Sequence, residues 1–125
     1  MTTAGSGILH LVPRLESDGD GVALRALVAA LVARERRVVV AGGGGPAVPA
    51  LEVAGARFTR LDLGATSPLA LWRTAARVEA LVRGEDIAMI HAHGEAAAVV
   101  AQRVARRARC PWVASLVRAG GPTAR

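Results

Sequence analysis

Apolar residues in this chain follow two patterns that alternate along its length: short unbroken runs, and longer stretches where they recur every three to four positions. Gly7 to Pro13 is the first unbroken run and reads as a short buried strand ended by its proline. Arg14 to Asp20 has the composition of a turn. From Gly21 the period changes: Leu24, Leu27, Val28 and Leu31 predict an amphipathic helix to about Arg36. Asp20 is placed to cap it, and Arg36 and Arg37 to complement its carbonyl end. Val38 to Ala41 is a second strand, broken by Gly42 to Gly45 and Pro46. Pro49 to Ala54 suits a brief helix ending at Gly55, and Arg57 to Leu61 a short strand near a sheet edge. After a loop over Asp62 to Ser67, Ser67 and Pro68 open a helix with Leu71, Ala75, Val78 and Val82 on one stripe, ended by Gly84. Asp86 to Ala92 is a fourth strand. A helix then starts at Gly94 or Glu95, with Ala97, Val100, Ala101, Val104 and Ala108 inward. Cys110-Pro111 stops it, Trp112 to Val117 is a fifth strand, and Arg118 to Arg125 is turn-like.

Strands and helices thus alternate, and the strands are apolar on both sides. That pattern predicts an α/β domain over residues 1–125: a parallel sheet of about five strands, helices on both faces, and by analogy the order 3-2-1-4-5. Ligands of such sheets sit at the carboxyl ends of the strands, where the strand order reverses. The loops that matter are therefore Arg14–Gly21, Ala41–Pro46, His91–Glu95 and Val117–Gly121.

Composition narrows the function. With 52% apolar residues the chain of 125 can bury a core, which excludes disorder of the whole. No apolar run reaches the ~18–20 residues of a membrane span, and the start lacks the pattern of a secretory signal. The lone Cys110 forms no internal disulfide, which suits a cytoplasmic setting. The net charge of +6 comes entirely from arginine, as a genome rich in arginine codons would produce. The aromatics are Phe58, Trp72 and Trp112, none within an arginine cluster, which argues against nucleic acid as a partner.

Four features carry candidate chemistry. Gly19-Asp20-Gly21 allows close backbone approach of a ligand at a helix start. As a dinucleotide fingerprint it fails, because Leu24 stands where the third glycine belongs and Ala41-Gly42 where a ribose-binding acid belongs. His91 and His93 point to one side of their strand, beside Gly94 and Glu95. A zinc site needs a third ligand, and Cys110 and His10 stand at no recognisable spacing, so no metal is assigned. His10, mid-strand, reads as a satisfied interior histidine. Gly42 to Gly45 lacks the Lys and Ser/Thr of a phosphate loop and reads as a flexible surface connection. The Arg103–Arg109 cluster reads as a solvated helix face, or as a contact for an anionic membrane surface.

Taken together, these residues resemble the N-terminal, acceptor-side domain of GT-B glycosyltransferases of the family 4 kind. The resemblance rests on Ile8-Leu-His-Leu-Val-Pro13, the Gly19-Asp-Gly21 loop, and the helix leading to Val38-Val-Val40. It continues through Val53-Ala-Gly55, Asp86-Ile-Ala-Met-Ile-His-Ala-His-Gly94 and Cys110-Pro-Trp-Val113. It implies a Rossmann-like half of a GT-B fold that holds a glycan or lipid-linked acceptor, as used in cell-envelope polysaccharide synthesis. The nucleotide-sugar donor, a substrate rather than a cofactor, would sit on a second domain outside these 125 residues, which are then a fragment, a truncated gene product or one piece of a split enzyme. Transfer would be retaining and metal-independent, and the 125 residues alone inactive. Gly19, Asp20, Gly21, His93, Gly94 and Glu95 would line the cleft. Where the family often has a histidine after strand five, this sequence has Leu116-Val-Arg118, so Arg118 is the charge available there. The contrasting expectation is a non-catalytic binding module of the same fold. In either case the setting is the cytoplasm, or the inner face of its membrane.

Overall fold

A computed structural model describes residues 7–15, 20–64 and 67–116, with the side chain of Asp20 excepted. Among the described residues nine elements follow in order: β1 (Gly7–Val12), α1 (Asp20–Ala33), β2 (Arg37–Gly42), α2 (Val48–Val53), β3 (Arg57–Arg60), α3 (Pro68–Gly84), β4 (Ile87–His93), α4 (Glu95–Ala108) and β5 (Trp112–Ser115). All four strand pairings are parallel and the order is β3-β2-β1-β4-β5, as the sequence pattern predicts.

Strand parity explains why the apolar runs are continuous. In β2, Val38 and Val40 pack with Leu24 and Val28 of α1 and Leu51 of α2. Val39 and Ala41, pointing the other way, join Ala75 and Val78 of α3 and Val100 and Val104 of α4. Leu9 and Leu11 of β1 and Ile90 and Ala92 of β4 lie on that second face, each fully buried. The remaining positions, His10, His91 and His93, therefore belong to the α1 side of the sheet.

The helix ends show which boundaries are written in the sequence. Ser67 caps α3 as expected, its hydroxyl accepting from the Ala70 amide at 3.2 Å. Helix α1 stops three residues earlier than its periodicity suggests. Glu35 takes a left-handed conformation (φ 61°), and the Arg36 amide turns back to the Leu31 carbonyl at 3.0 Å. Glycine is the usual residue for that turn, so a glutamate there gave no signal. Arg37, expected at the helix end, instead opens β2 and donates to the Glu85 and Asp86 carbonyls. β5 also departs from the pattern: Val113 is 46% exposed, because α4 covers only one face of this edge strand.

The glycine run after β2 is the main correction. It is not a flexible connection but a backbone packed against backbone. A Cβ on Gly42 would lie 1.6 Å from the Val12 carbonyl oxygen, and one on Gly45 2.3 Å from that of Leu15. Hydrogen bonds stitch the two segments: Gly43 N–H to Pro13 O, Leu15 N–H to Gly44 O and Ala47 N–H to Leu15 O, each 3.0 Å. The run thereby fixes the path of Pro13 to Leu15 as the chain leaves β1.

Candidate functional site

Strand order reverses between β1 and β4, since β1 leads toward β2 and β3 while β4 leads toward β5. A cavity of about 470 Å³ opens there at the carboxyl edge of the sheet. Three elements build it. The segment Val12–Leu15, held by the glycine run, forms one wall. Gly21, Leu24 and Leu27 of α1 form a second. His91, His93, Gly94 and Ser115, from the ends of β4 and β5, form the third. Its size is that of a small-molecule site, and its chemistry is mixed: an apolar α1 wall facing imidazoles, a hydroxyl and the Arg14 guanidinium.

The sequence-selected residues distribute unevenly around it. Gly21, His93 and Gly94 line the cavity. Glu95 is exposed at the first turn of α4, where its carboxylate complements the amide-positive helix start. Gly19, Arg118 and the side chain of Asp20, with its proposed cap, lie outside the described residues. Gly94 has φ 96°, and its amide donates to the Ser115 carbonyl at 2.9 Å, so it turns the chain sharply from β4 into α4. The Arg103–Arg109 cluster lies on the opposite side of the sheet: Arg107 pairs with Glu79 of α3 at 2.9 Å, and Arg103 borders an apolar groove with Trp72 and Val99. Among the described residues no helix is long and apolar enough to cross a membrane.

Sequence reasoning missed Arg14, Leu27 and Ser115. Leu27 was expected in the core, yet it is 38% exposed and faces the cavity. Ser115 carried a signal in retrospect: it is the register partner of His93 on the neighbouring strand, which places it at the same sheet edge.

The histidines assemble more closely than their spacing suggests. His10 is paired in register with His91, and His93 is two residues on along the same face. The ring centroids lie 5.1 Å (His10–His91), 5.3 Å (His10–His93) and 4.2 Å (His91–His93) apart. His10 Nδ1 is 3.1 Å from His93 Nε2, and His91 Nε2 is 2.8 Å from Ser115 Oγ. His10 is thus not the satisfied interior histidine expected: it is 1% exposed, and its Nε2 has no hydrogen-bond partner among the described residues. Burial, reinforced by the neighbouring His93 and His91, pushes the His10 pKa down to about 3. Burial lowers that of His91 as well. At neutral pH, His10 therefore presents an uncharged imidazole.

Comparison with known proteins agrees with this architecture. The model of the glycosyl transferase 4-like domain matches residues 18–124. A glycosyltransferase from Rickettsia africae superposes with a TM-score of 0.77 at 13% identity, over 90% of this chain and 30% of that one. A Listeria monocytogenes structure described as a UDP-N-acetylglucosamine 2-epimerase gives 0.64 at 15% identity, over 92% and 32%. The C-terminal domain of a Pyrococcus furiosus hydrogenase gives 0.64 at 16% identity, over 93% and 94%. At these identities the likeness is one of fold: a Rossmann-like sheet that recurs as one domain of larger proteins, GT-B glycosyltransferases among them. No curated protein matches the chain. With the family model covering most of its length and the parallel sheet in agreement, the chain belongs to the glycosyl transferase 4-like domain family.

Proposed function

We propose that the cavity between β1 and β4 holds the acceptor in a sugar transfer, with the nucleotide-sugar donor carried by a second Rossmann-like unit facing it. The observation that carries this reading is the placement of a small-molecule cavity at the switch point of a glycosyl transferase 4-like domain. Its walls suit a saccharide. Leu24 and Leu27 offer an apolar surface to a sugar ring or a lipid linker, while His91, His93 and Ser115 offer donors and acceptors for hydroxyls. Gly21 and Gly94 let backbone approach closely at the starts of α1 and α4. The transfer itself is hexosyl and retaining in this reading, and the acceptor is a glycan or a lipid-linked saccharide.

An acceptor half cannot turn over donor unaided. The purified 125 residues, mixed with UDP-glucose or GDP-mannose and a short alkyl glycoside, are expected to release nucleoside diphosphate no faster than buffer. Sustained release that scales with protein concentration would overturn the assignment, because it would require donor binding and chemistry within this one domain.

A further inference from the structure

We propose that His10, His91 and His93 form a binding site for a divalent transition-metal ion, Zn²⁺ above all, at the inner wall of the cleft. One ligand atom from each residue lies within 4.8 Å of the others. In tetrahedral zinc sites the Zn–N bonds are ~2.0–2.1 Å, which puts ligand nitrogens about 3.3 Å apart. His10 Nδ1 and His93 Nε2, at 3.1 Å, already stand at that spacing. The third nitrogen closes by about 1.5 Å. That is a side-chain rotation for His91, which is half-buried at the cleft, whereas His10 is locked in the sheet.

A further observation points the same way: Ser115 Oγ holds His91 Nε2 and leaves Nδ1 as the nitrogen to offer a metal. Metal-bound histidines are commonly oriented by a hydrogen bond to their other ring nitrogen. Three protein nitrogens leave a fourth position open toward the cleft, for water or a ligand oxygen. Imidazole selects Zn²⁺, Co²⁺ or Ni²⁺ over Mg²⁺ and Ca²⁺, which take oxygen. The ion is assigned no step in sugar transfer, so this inference stands or falls independently of the acceptor reading.

The test uses the tag-free 125-residue chain, stripped with EDTA and titrated calorimetrically with ZnCl₂ at pH 7.5. One ion per chain is expected, with a rise in Tm and, for CoCl₂, the intense visible absorption of a tetrahedral site. His91→Ala and His93→Ala, at positions outside the buried core, are each expected to weaken Zn²⁺ at least ~100-fold, and Ser115→Ala about 10-fold. Absence of saturable binding, equal binding of Mg²⁺, or affinity unchanged in both histidine variants would each overturn the site.

Discussion

Gly42→Ala is expected to unfold the domain or leave it close to unfolding at room temperature. The added methyl would sit 1.6 Å from the Val12 carbonyl oxygen and 2.7 Å from its carbon. Both contacts are main chain, so no rotamer can relieve them. Retreat is blocked on each side: Gly42 pairs in register with Val12, its carbonyl accepts from the Leu61 amide at 2.8 Å, and Gly43 is tied to Pro13. Separating β1 from β2 at this point opens the centre of the sheet, with an expected cost on the order of 4–5 kcal/mol. That is most of the ~5–15 kcal/mol by which a domain is stable. Gly84→Ala is the control. It ends α3 with nothing within 4 Å of its Cβ position and no positive φ, so alanine should be neutral or stabilising by up to ~1 kcal/mol. Urea denaturation followed by circular dichroism separates the two. A Gly42→Ala midpoint equal to that of the unsubstituted protein would show that the glycine run is not the packed seam described above.

The second large effect is acid lability, measured in EDTA so that no metal contributes. Folded His10 titrates at about 3 against an ordinary 6.5, because burial disfavours its charged form and His93 and His91 add to that. Between those values the unfolded chain binds the extra proton, so stability falls as pH falls. The full stability is present above pH 6.5. From there the loss grows by about 1.4 kcal/mol per pH unit, approaching on the order of 5 kcal/mol near pH 3. The downward shift at His91 acts in the same direction. The informative window is pH 6.5 to 5, where carboxylates are still ionised. There the urea midpoint should fall steadily, and His10→Leu should flatten most of the slope. A flat wild-type profile in that window, or the same slope in His10→Leu, would mean that His10 is charged without cost.

Most of the fold was legible in the sequence because its strands are buried on both faces. Val38-Val-Val40 can be nothing but a central strand, and Ser67-Pro68 marks a helix start by local chemistry alone. What stayed hidden depends on contacts between distant segments. His10 and His93 are 83 positions apart, and only the parallel pairing of β1 with β4 reveals that they meet. Spacing along the chain gives no sign that His10 joins His91 and His93; the parallel register and strand parity bring them to one face. Gly42 to Gly45 looked like a loop because glycine is common in loops. Its real cause, the approach of Val12 to Leu15, lies thirty residues upstream. Leu27 followed helical periodicity correctly, but periodicity does not distinguish a core from the wall of a cavity.

The acceptor assignment is tested most directly by where a saccharide touches the domain. The measurement is a ¹⁵N–¹H spectrum of the labelled 125-residue chain, titrated with hexyl glucoside and hexyl mannoside and, separately, with UDP-glucose and GDP-mannose. Saturable shifts from a glycoside are expected at the amides of Arg14, Gly21, His91, His93, Gly94 and Ser115, and none of comparable size from the nucleotide sugars. Shifts at these amides from a nucleotide sugar but not from any glycoside would contradict it, and would make this cleft the donor side.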